Sequence, residues 1–377
     1  MRELETIDEF EAYFKTGRSW NNIAIQGLDL TAYTEQLMNC DFNGSIFLGC
    51  SLSDEVILKI INTNGLQFPK IKGLPYKTFS NYLYRLETLF DNFDPKKPES
   101  YKNTTDWIIY QHFLKTGKGK PDSVLESLAR RLHDHSITDA LNNFIEDFGN
   151  PNKIVGIMGG HSTNRDSQDY LKSTLIARNL ARSGYLMVSG GGPGAMEATH
   201  LGVWFAAYDD SELNDAIKIL SSAPVYNNKY WLSKAFDVIK KYPPKKYNGK
   251  LLESLGIPTW FYGHEPPTPF ASKIAKYFAN SIREAGLLAI ALGGIIFTPG
   301  MAGTVQEIFQ DACQNRYKTF AIASPMIFLN SNFWINEKPV YPLLKELAKG
   351  HEYKKYISIS DDVNSIVDKI INFNSKK

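Results

Sequence analysis

From Lys153 onward the sequence alternates short, almost wholly apolar runs with stretches of helical spacing, and that alternation admits few folds. KIVGIMGG and YLMVSGGG read as strands, each followed by a helix: LKSTLIARNLARSG, closed by Gly184, and GAMEATHLGVWFAA. IPTWFYG and the run 287–297 read as further strands, with FASKIAKYFANSIREAG between them as a helix stopped by glycine. TVQEIFQDACQNR, TFAIASPMIFL, PVYPLLKELAKG, YISIS and DDVNSIVDKIINF carry the alternation to the end of the chain. Strands this apolar are covered on both faces, which predicts an α/β fold with a Rossmann-like, doubly wound parallel sheet. In such sheets ligands sit beyond the carboxyl ends of the strands, so the strand-to-helix loops are the place to look for chemistry.

The region before this pattern is of another kind. Residues 1–100 read as a smaller mixed α+β region of unassigned role, residues 101–150 as a helical segment and residues 151–377 as the Rossmann-like domain. Thr6 and Glu9 have the spacing of a capping box ahead of an amphipathic turn. NNIAIQGLDL and GSIFLGCSL suggest small strands or a few rungs of a coil, and Pro95 and Pro98, with lysines between them, predict a linker. DWIIYQHFLK, SVLESLARRL and TDALNNFIEDF have helical spacing; His133 and His135 fall between two of these helices and read as loop histidines, without partners for a metal set.

Composition narrows the partners. A net charge of +2 over 377 residues gives no field to gather nucleic acid or an anionic membrane, so any phosphate must be met locally by loops and helix ends. The three cysteines, Cys40, Cys50 and Cys313, have neither metal-ligand spacing nor a disulfide framework and read as a reduced, intracellular set. The acidic, amphipathic start MRELETIDEFEAYF is no signal peptide, and the run 287–297 is too short to span a bilayer. A cytoplasmic protein without membrane segments is expected.

Three loops carry the unusual residues. The first is Gly159, Gly160, His161 and Ser162; the second runs from Gly190, Gly191 and Gly192 through Pro193 to Gly194 and Ala195; the third joins Pro299 and Gly300 to Met301, Ala302, Gly303 and Thr304. Glycine lets the backbone approach a ligand, and the helix start behind it offers free N–H groups and a positive dipole to a phosphate. GGGPGA also fits the dinucleotide fingerprint, with Asp209 and Asp210 downstream. It follows the second strand of the domain rather than the first, however, which makes a dinucleotide oxidoreductase the lesser reading.

Glu307 has two readings. With Thr304 it has capping-box spacing, and a cap at the helix start is a sufficient structural role. The same placement sets its carboxylate beside whatever the third loop holds. Arg283, late on the preceding helix, gains interest only from its position before the strand leading to Pro299; beside Glu284, and like Lys273 and Lys276, it otherwise reads as a solvated surface charge. His264, in the loop opened by Trp260, and Met196, in the first turn after the second loop, are the candidates for the base side of a nucleotide.

The pairing of GGG-x-G-A-M with PG-x-x-GT-x-x-E, over roughly residues 153–330, resembles the LOG (Lonely Guy) family, which includes bacterial nucleotide 5′-monophosphate nucleosidases. The resemblance implies a homodimeric Rossmann-like phosphoribohydrolase, without metal or redox cofactor, that releases the base and ribose 5-phosphate from a nucleoside monophosphate. It implies Glu307 as the catalytic carboxylate and Arg283 as the family's arginine before this strand. Phosphate would be bound by Gly300, Gly303 and Thr304, joined by Gly191, Gly192 and Gly194. The chain departs from the pattern at Met301, where the family usually has glycine, and at Glu284, where it usually has lysine. A nucleotide sensor without turnover is the alternative expectation.

Overall fold

The computed structural model describes residues 1–374. The chain divides into two units that interleave in sequence: Met1–Leu83 with Leu114–Phe144, and Tyr84–Phe113 with the chain from Ile145 onward. This division differs from the consecutive segments 1–100, 101–150 and 151–377. Pro95 and Pro98 lie in no free linker: Leu89, Phe90, Phe93 and Tyr101 pack with Trp231, Leu232 and Ile274 of the second unit. Four apolar side chains within thirteen residues give this segment something to bury, and that outweighs its prolines and lysines.

In the first unit, β1 (Arg2–Leu4), β2 (Ile23–Gln26), β3 (Ile46–Leu48) and β4 (Leu66–Phe68) form a parallel sheet in sequence order. Glu3 pairs with Ala24, Ala24 with Ile46 and Ile46 with Leu66. Phe10, Trp20, Ile25, Phe42 and Phe47 fill its core. Thr6 and Glu9 make the expected capping box. The helix Val124–Phe148 is unbroken, so His133 lies within a helix and not in a loop. No glycine or proline interrupts those residues, and His133 is buried with Nδ1 3.0 Å from Asp134 Oδ1.

Among its described residues the second unit holds seven parallel strands: β5 (Ile154–Met158), β6 (Leu186–Ser189), β7 (Ser254–Gly256), β8 (Lys273–Ile274), β9 (Gly294–Phe297), β10 (Met326–Leu329) and β11 (Ile357–Ser360). Their order is β11-β10-β9-β5-β6-β7-β8, a Rossmann-like doubly wound α/β arrangement. The chain builds outward from β5 to β8, then returns to lay β9 against the other side of β5, with Ile157 opposite Ile296 and Met158 opposite Phe297. The topological switch therefore falls between β5 and β9, and the first and third glycine loops leave the sheet on either side of it.

Val155, Ile157, Met187, Ile296 and Ile327 are packed against Ile176 and Leu180 of the helix Gln168–Arg182 and Ile366 and Ile370 of the helix Val363–Asn374. At Gly202 a β-carbon would stand 2.8 Å from Ala177 Cβ, so the helix Ala195–Trp204 lies close against Gln168–Arg182.

Three expectations for this unit are corrected. The run 287–297 is not one strand: Leu287 to Ile290 end the helix Asn280–Ile290, and only Gly294–Phe297 is strand. A short apolar run is ambiguous between helix and strand, and Gly294, at φ +128, marks the break. IPTWFYG is a loop with a single 3-10 turn at Trp260–Tyr262, the strand lying just before it. FASKIAKYFANSIREAG is not one helix either, since Lys273–Ile274 joins the sheet edge and Gly286 sits inside the helix that begins at Asn280. Among the described residues no helix is long and apolar enough to cross a membrane.

Candidate functional site

The three glycine loops meet. Gly160 donates its N–H to Pro299 O at 2.9 Å, joining the first loop to the third, and accepts from Ala195 N at 3.2 Å, joining it to the second. Gly194, at φ +69, brings its Cα so close to the first loop that a β-carbon would overlap Gly160 O and stand 2.7 Å from His161 O. Only glycine fits there, both for its backbone angle and for the space.

The second loop is held from beneath by polar groups hidden in the core. Gly191 donates to Ser189 Oγ at 3.1 Å, and Ser189 Oγ lies 2.8 Å from His200 Nε2. His200 Nδ1 in turn lies 2.9 Å from Ser254 Oγ. Burial presses the His200 imidazole down to about 3, so it is neutral and each ring nitrogen serves one hydroxyl. From the other side Gly191 O accepts from Thr268 N at 2.8 Å, pinning the long loop after β7 onto the turn.

A second buried device fixes the residues that follow the first loop. Arg165 and Glu197 form a bidentate pair at 2.8 and 2.5 Å, with Tyr170 Oη donating to Glu197 Oε2 at 3.0 Å. Arg165 also donates to Trp231 O at 2.9 Å, and its guanidinium packs 4.4 Å from the Trp231 ring centre. A desolvated pair of this kind is stable only when its remaining donors are met, and here they are. Ser162 lies at a cleft beside it, with His161, Gly194, Tyr226 and Trp231.

Around the third loop the capping box expected of Thr304 and Glu307 does not form. The helix Ala302–Tyr317 starts after Met301 with no side-chain cap, and Glu307 faces Arg283 instead, Nη1 to Oε1 3.3 Å. Arg283 stands in the first turn of its helix, not late in it, because that helix begins only at Asn280. Its Nη1 is 3.9 Å from where a β-carbon of Gly190 would lie, so Arg283 spans the second loop and the Glu307 carboxylate. Burial pushes Glu307 up to about 7; Arg283 pulls it down and the neighbouring Glu284 pushes it up. Glu284 is itself held by Asn280 Nδ2 at 2.7 Å and Gln306 Nε2 at 3.1 Å.

The other expected residues fall as follows. Thr304 is buried against Gly300, while Gly303 opens on free space with nothing within 4 Å of a β-carbon position. Met196 lays its thioether over Gly190 and Gly192, with Cε 2.9 Å from where a Gly192 β-carbon would be. His264 is 57% exposed at the rim, its Nε2 3.7 Å from Glu265 Oε1. Asp209 caps the helix Asp210–Ser221 and Asp210 pairs with Arg178 at 2.6 Å. Both acids thus have structural work away from the glycine turn. Lys276 is no solvated charge: it is fully buried, 2.5 Å from Asp106 Oδ1, which also accepts from Trp260 Nε1 at 3.2 Å.

Sequence reasoning missed Glu265, whose Oε2 lies 3.7 Å from the β-carbon position of Gly192, and the His200 and Arg165–Glu197 supports. The available signal was their occurrence in or just after glycine loops; contacts between loops have no periodicity to read. Among the described residues no three His, Cys, Asp or Glu side chains converge to hold a metal ion.

No protein-family model matches the chain, and neither does any curated protein. Solved structures with some likeness include the molybdenum cofactor binding protein from the phototrophic bacterium Rippkaea orientalis, at 14% identity and TM-score 0.36, covering 58% of this chain and 96% of that one. The Moco carrier protein from Chlamydomonas reinhardtii is similar at 13% identity and TM-score 0.36, covering 59% of this chain and 98% of that one.

Proposed function

We propose that the chain hydrolyses the N-glycosidic bond of a nucleoside 5′-monophosphate, releasing the base and ribose 5-phosphate. One observation carries this reading: a largely covered carboxylate, Glu307, 13% exposed, faces Arg283 at 3.3 Å where three glycine loops converge at the switch point of the sheet. The uncapped start of the helix Ala302–Tyr317, with open space at Gly303, suits a phosphate. Anchoring the phosphate there sets the ribose beside Glu307.

As the bond between C1′ and the base nitrogen breaks, positive charge grows on the ribose, and the ionised Glu307 carboxylate stabilises it. The same carboxylate takes a proton from the water whose oxygen bonds to C1′ and passes it on to the leaving nitrogen, which regenerates the ionised Glu307. A group poised near 7 suits that exchange. Arg283 keeps Glu307 partly ionised despite its burial and offers its remaining N–H groups to the sugar phosphate.

A second reading rests on Glu284. Its charge beside Glu307 favours the protonated form, which cannot stabilise a cationic ribose, and a site in that state binds a nucleotide without turning it over. The experiment is incubation with AMP, GMP, CMP and UMP, with free base read by chromatography. Base released from at least one of them supports the hydrolase; tight binding in calorimetry with no base after hours supports the sensor and overturns it.

A further inference from the structure

We propose that Glu265 reads the sugar, accepting hydrogen bonds from the ribose 2′- and 3′-hydroxyls and so selecting ribonucleotides over deoxyribonucleotides. The inference rests on the nucleotide-hydrolase reading for the site but not for its test.

Glu265 stands in the loop after β7, which is pinned to the second glycine turn by Thr268 N donating to Gly191 O and turned by Glu265 N donating to Tyr262 O at 3.0 Å. Its side chain is only 16% exposed. Among the described residues no lysine or arginine pairs with it. The nearest charged partners are imidazoles, His161 Nδ1 at 3.5 Å and His264 Nε2 at 3.7 Å, both at the edge of hydrogen-bond reach and both on exposed side chains. The carboxylate is therefore largely covered, and its two oxygens keep acceptor capacity that a ligand's O–H groups can fill.

The ligand group it meets is set by charge. Glu265 Oε2 lies 3.7 Å from the β-carbon position of Gly192, on the face of the turn that Met196 Cε also covers, at 2.9 Å. A phosphate dianion on that face would stand against a carboxylate in a partly dry site and be repelled. The phosphate role expected for Gly192 is accordingly given to the third loop, where the helix start is uncapped. What fits against Gly192 is a neutral group with two O–H donors close together, and a vicinal diol offers just that to the two oxygens of one carboxylate. The order across the site is consistent: third-loop helix start, then Glu307 and Arg283, then Gly190 under Met196, then Gly192 and Glu265. Phosphate at one end and hydroxyls at the other leave C1′ near Glu307.

The test compares AMP with 2′-deoxy-AMP for the wild type, Glu265→Gln and Glu265→Ala, by calorimetry and by base release. Wild type should bind AMP roughly ten- to a hundredfold more tightly than the deoxy form, as expected for hydroxyls bonded to a charged acceptor. Both variants should lose most of that ratio through weaker AMP binding, with deoxy-AMP affinity changed by less than about threefold. An undiminished ratio in the variants, or an equal loss for both ligands, overturns the sugar-reading role. The isosteric glutamine variant, checked by thermal melting, guards against a folding defect in the alanine one. Absence of base release from the wild type would fail the hydrolase reading alone, since the binding ratio still decides the role of Glu265.

Discussion

Arg283 reaches Glu307 from the first turn of one helix to the second turn of another, 3.3 Å from Nη1 to Oε1, so a side chain and not a cap on its own helix meets the Glu307 carboxylate. Burial is the main factor lifting Glu307 to about 7, Arg283 lowers it and Glu284 raises it. If the ionised form works, kcat/KM for the preferred nucleotide rises with pH through about 7. Arg283→Met removes the lowering partner and moves that limb to higher pH; Glu284→Gln removes the raising one and moves it lower. pH–rate profiles of the three proteins check both signs.

His200 stiffens the second loop from below. Its imidazole is held near 3 in the fold, below its ordinary value of 6.5, so the unfolded chain takes up the proton first. Its contribution to stability is full above about pH 6.5 and is lost as the pH falls toward 3. His200→Gln should therefore flatten part of the acid side of the stability curve. At pH 7 it should cost about 1–3 kcal/mol by leaving hydroxyls of Ser189 and Ser254 poorly met. Urea unfolding at pH 7 and pH 5 measures both.

Asp311 lies one turn beyond Glu307 on the same helix, buried, with Asn315 Nδ2 at 3.2 Å from Oδ1 and, among the described residues, no hydrogen-bond partner for Oδ2. Burial raises it to about 8, from the 3.8 of an unburied aspartate. The fold thus favours the protonated acid, and the stability this confers is full below pH 3.8 and lost as the pH rises through 8. Asp311→Asn should stabilise the protein, with a gain in Tm that grows between pH 5 and pH 8 and then levels off. Thermal melts across that range give the answer.

The Arg165–Glu197 pair anchors the residues after the first loop to the helix behind the second. Breaking it leaves a buried guanidinium uncompensated, and Glu197→Gln should cost about 3–5 kcal/mol in urea unfolding. A loss below about 1 kcal/mol would mean that water reaches the site and that the pair does not fix the loop.

The sequence made the parallel sheet legible because β5, β6, β9 and β10 are apolar enough to be buried on both faces, and strand and helix periods differ. It also made the three loops legible, since glycine and proline interrupt the pattern at each strand end. Boundaries failed where the local signal is ambiguous: Leu287 and Leu288 pack equally well on a helix or a strand, and the tertiary contacts of Asn280–Ile290 decided it. Lys276 misled because its partner, Asp106, is 170 residues away in sequence, and neither residue carries a mark of burial. Glu265 was hidden for the same reason. It stands beside Gly192, more than seventy residues earlier in the chain, and no spacing within its own loop announces that.

The most direct test of the account is the rate of base release from the best nucleoside monophosphate, at saturating concentration, by wild type and by Glu307→Gln. The account predicts a fall in kcat of roughly a hundredfold or more with nucleotide binding retained, since the amide cannot take a proton or balance a cationic ribose. An unchanged kcat in the glutamine variant would contradict it.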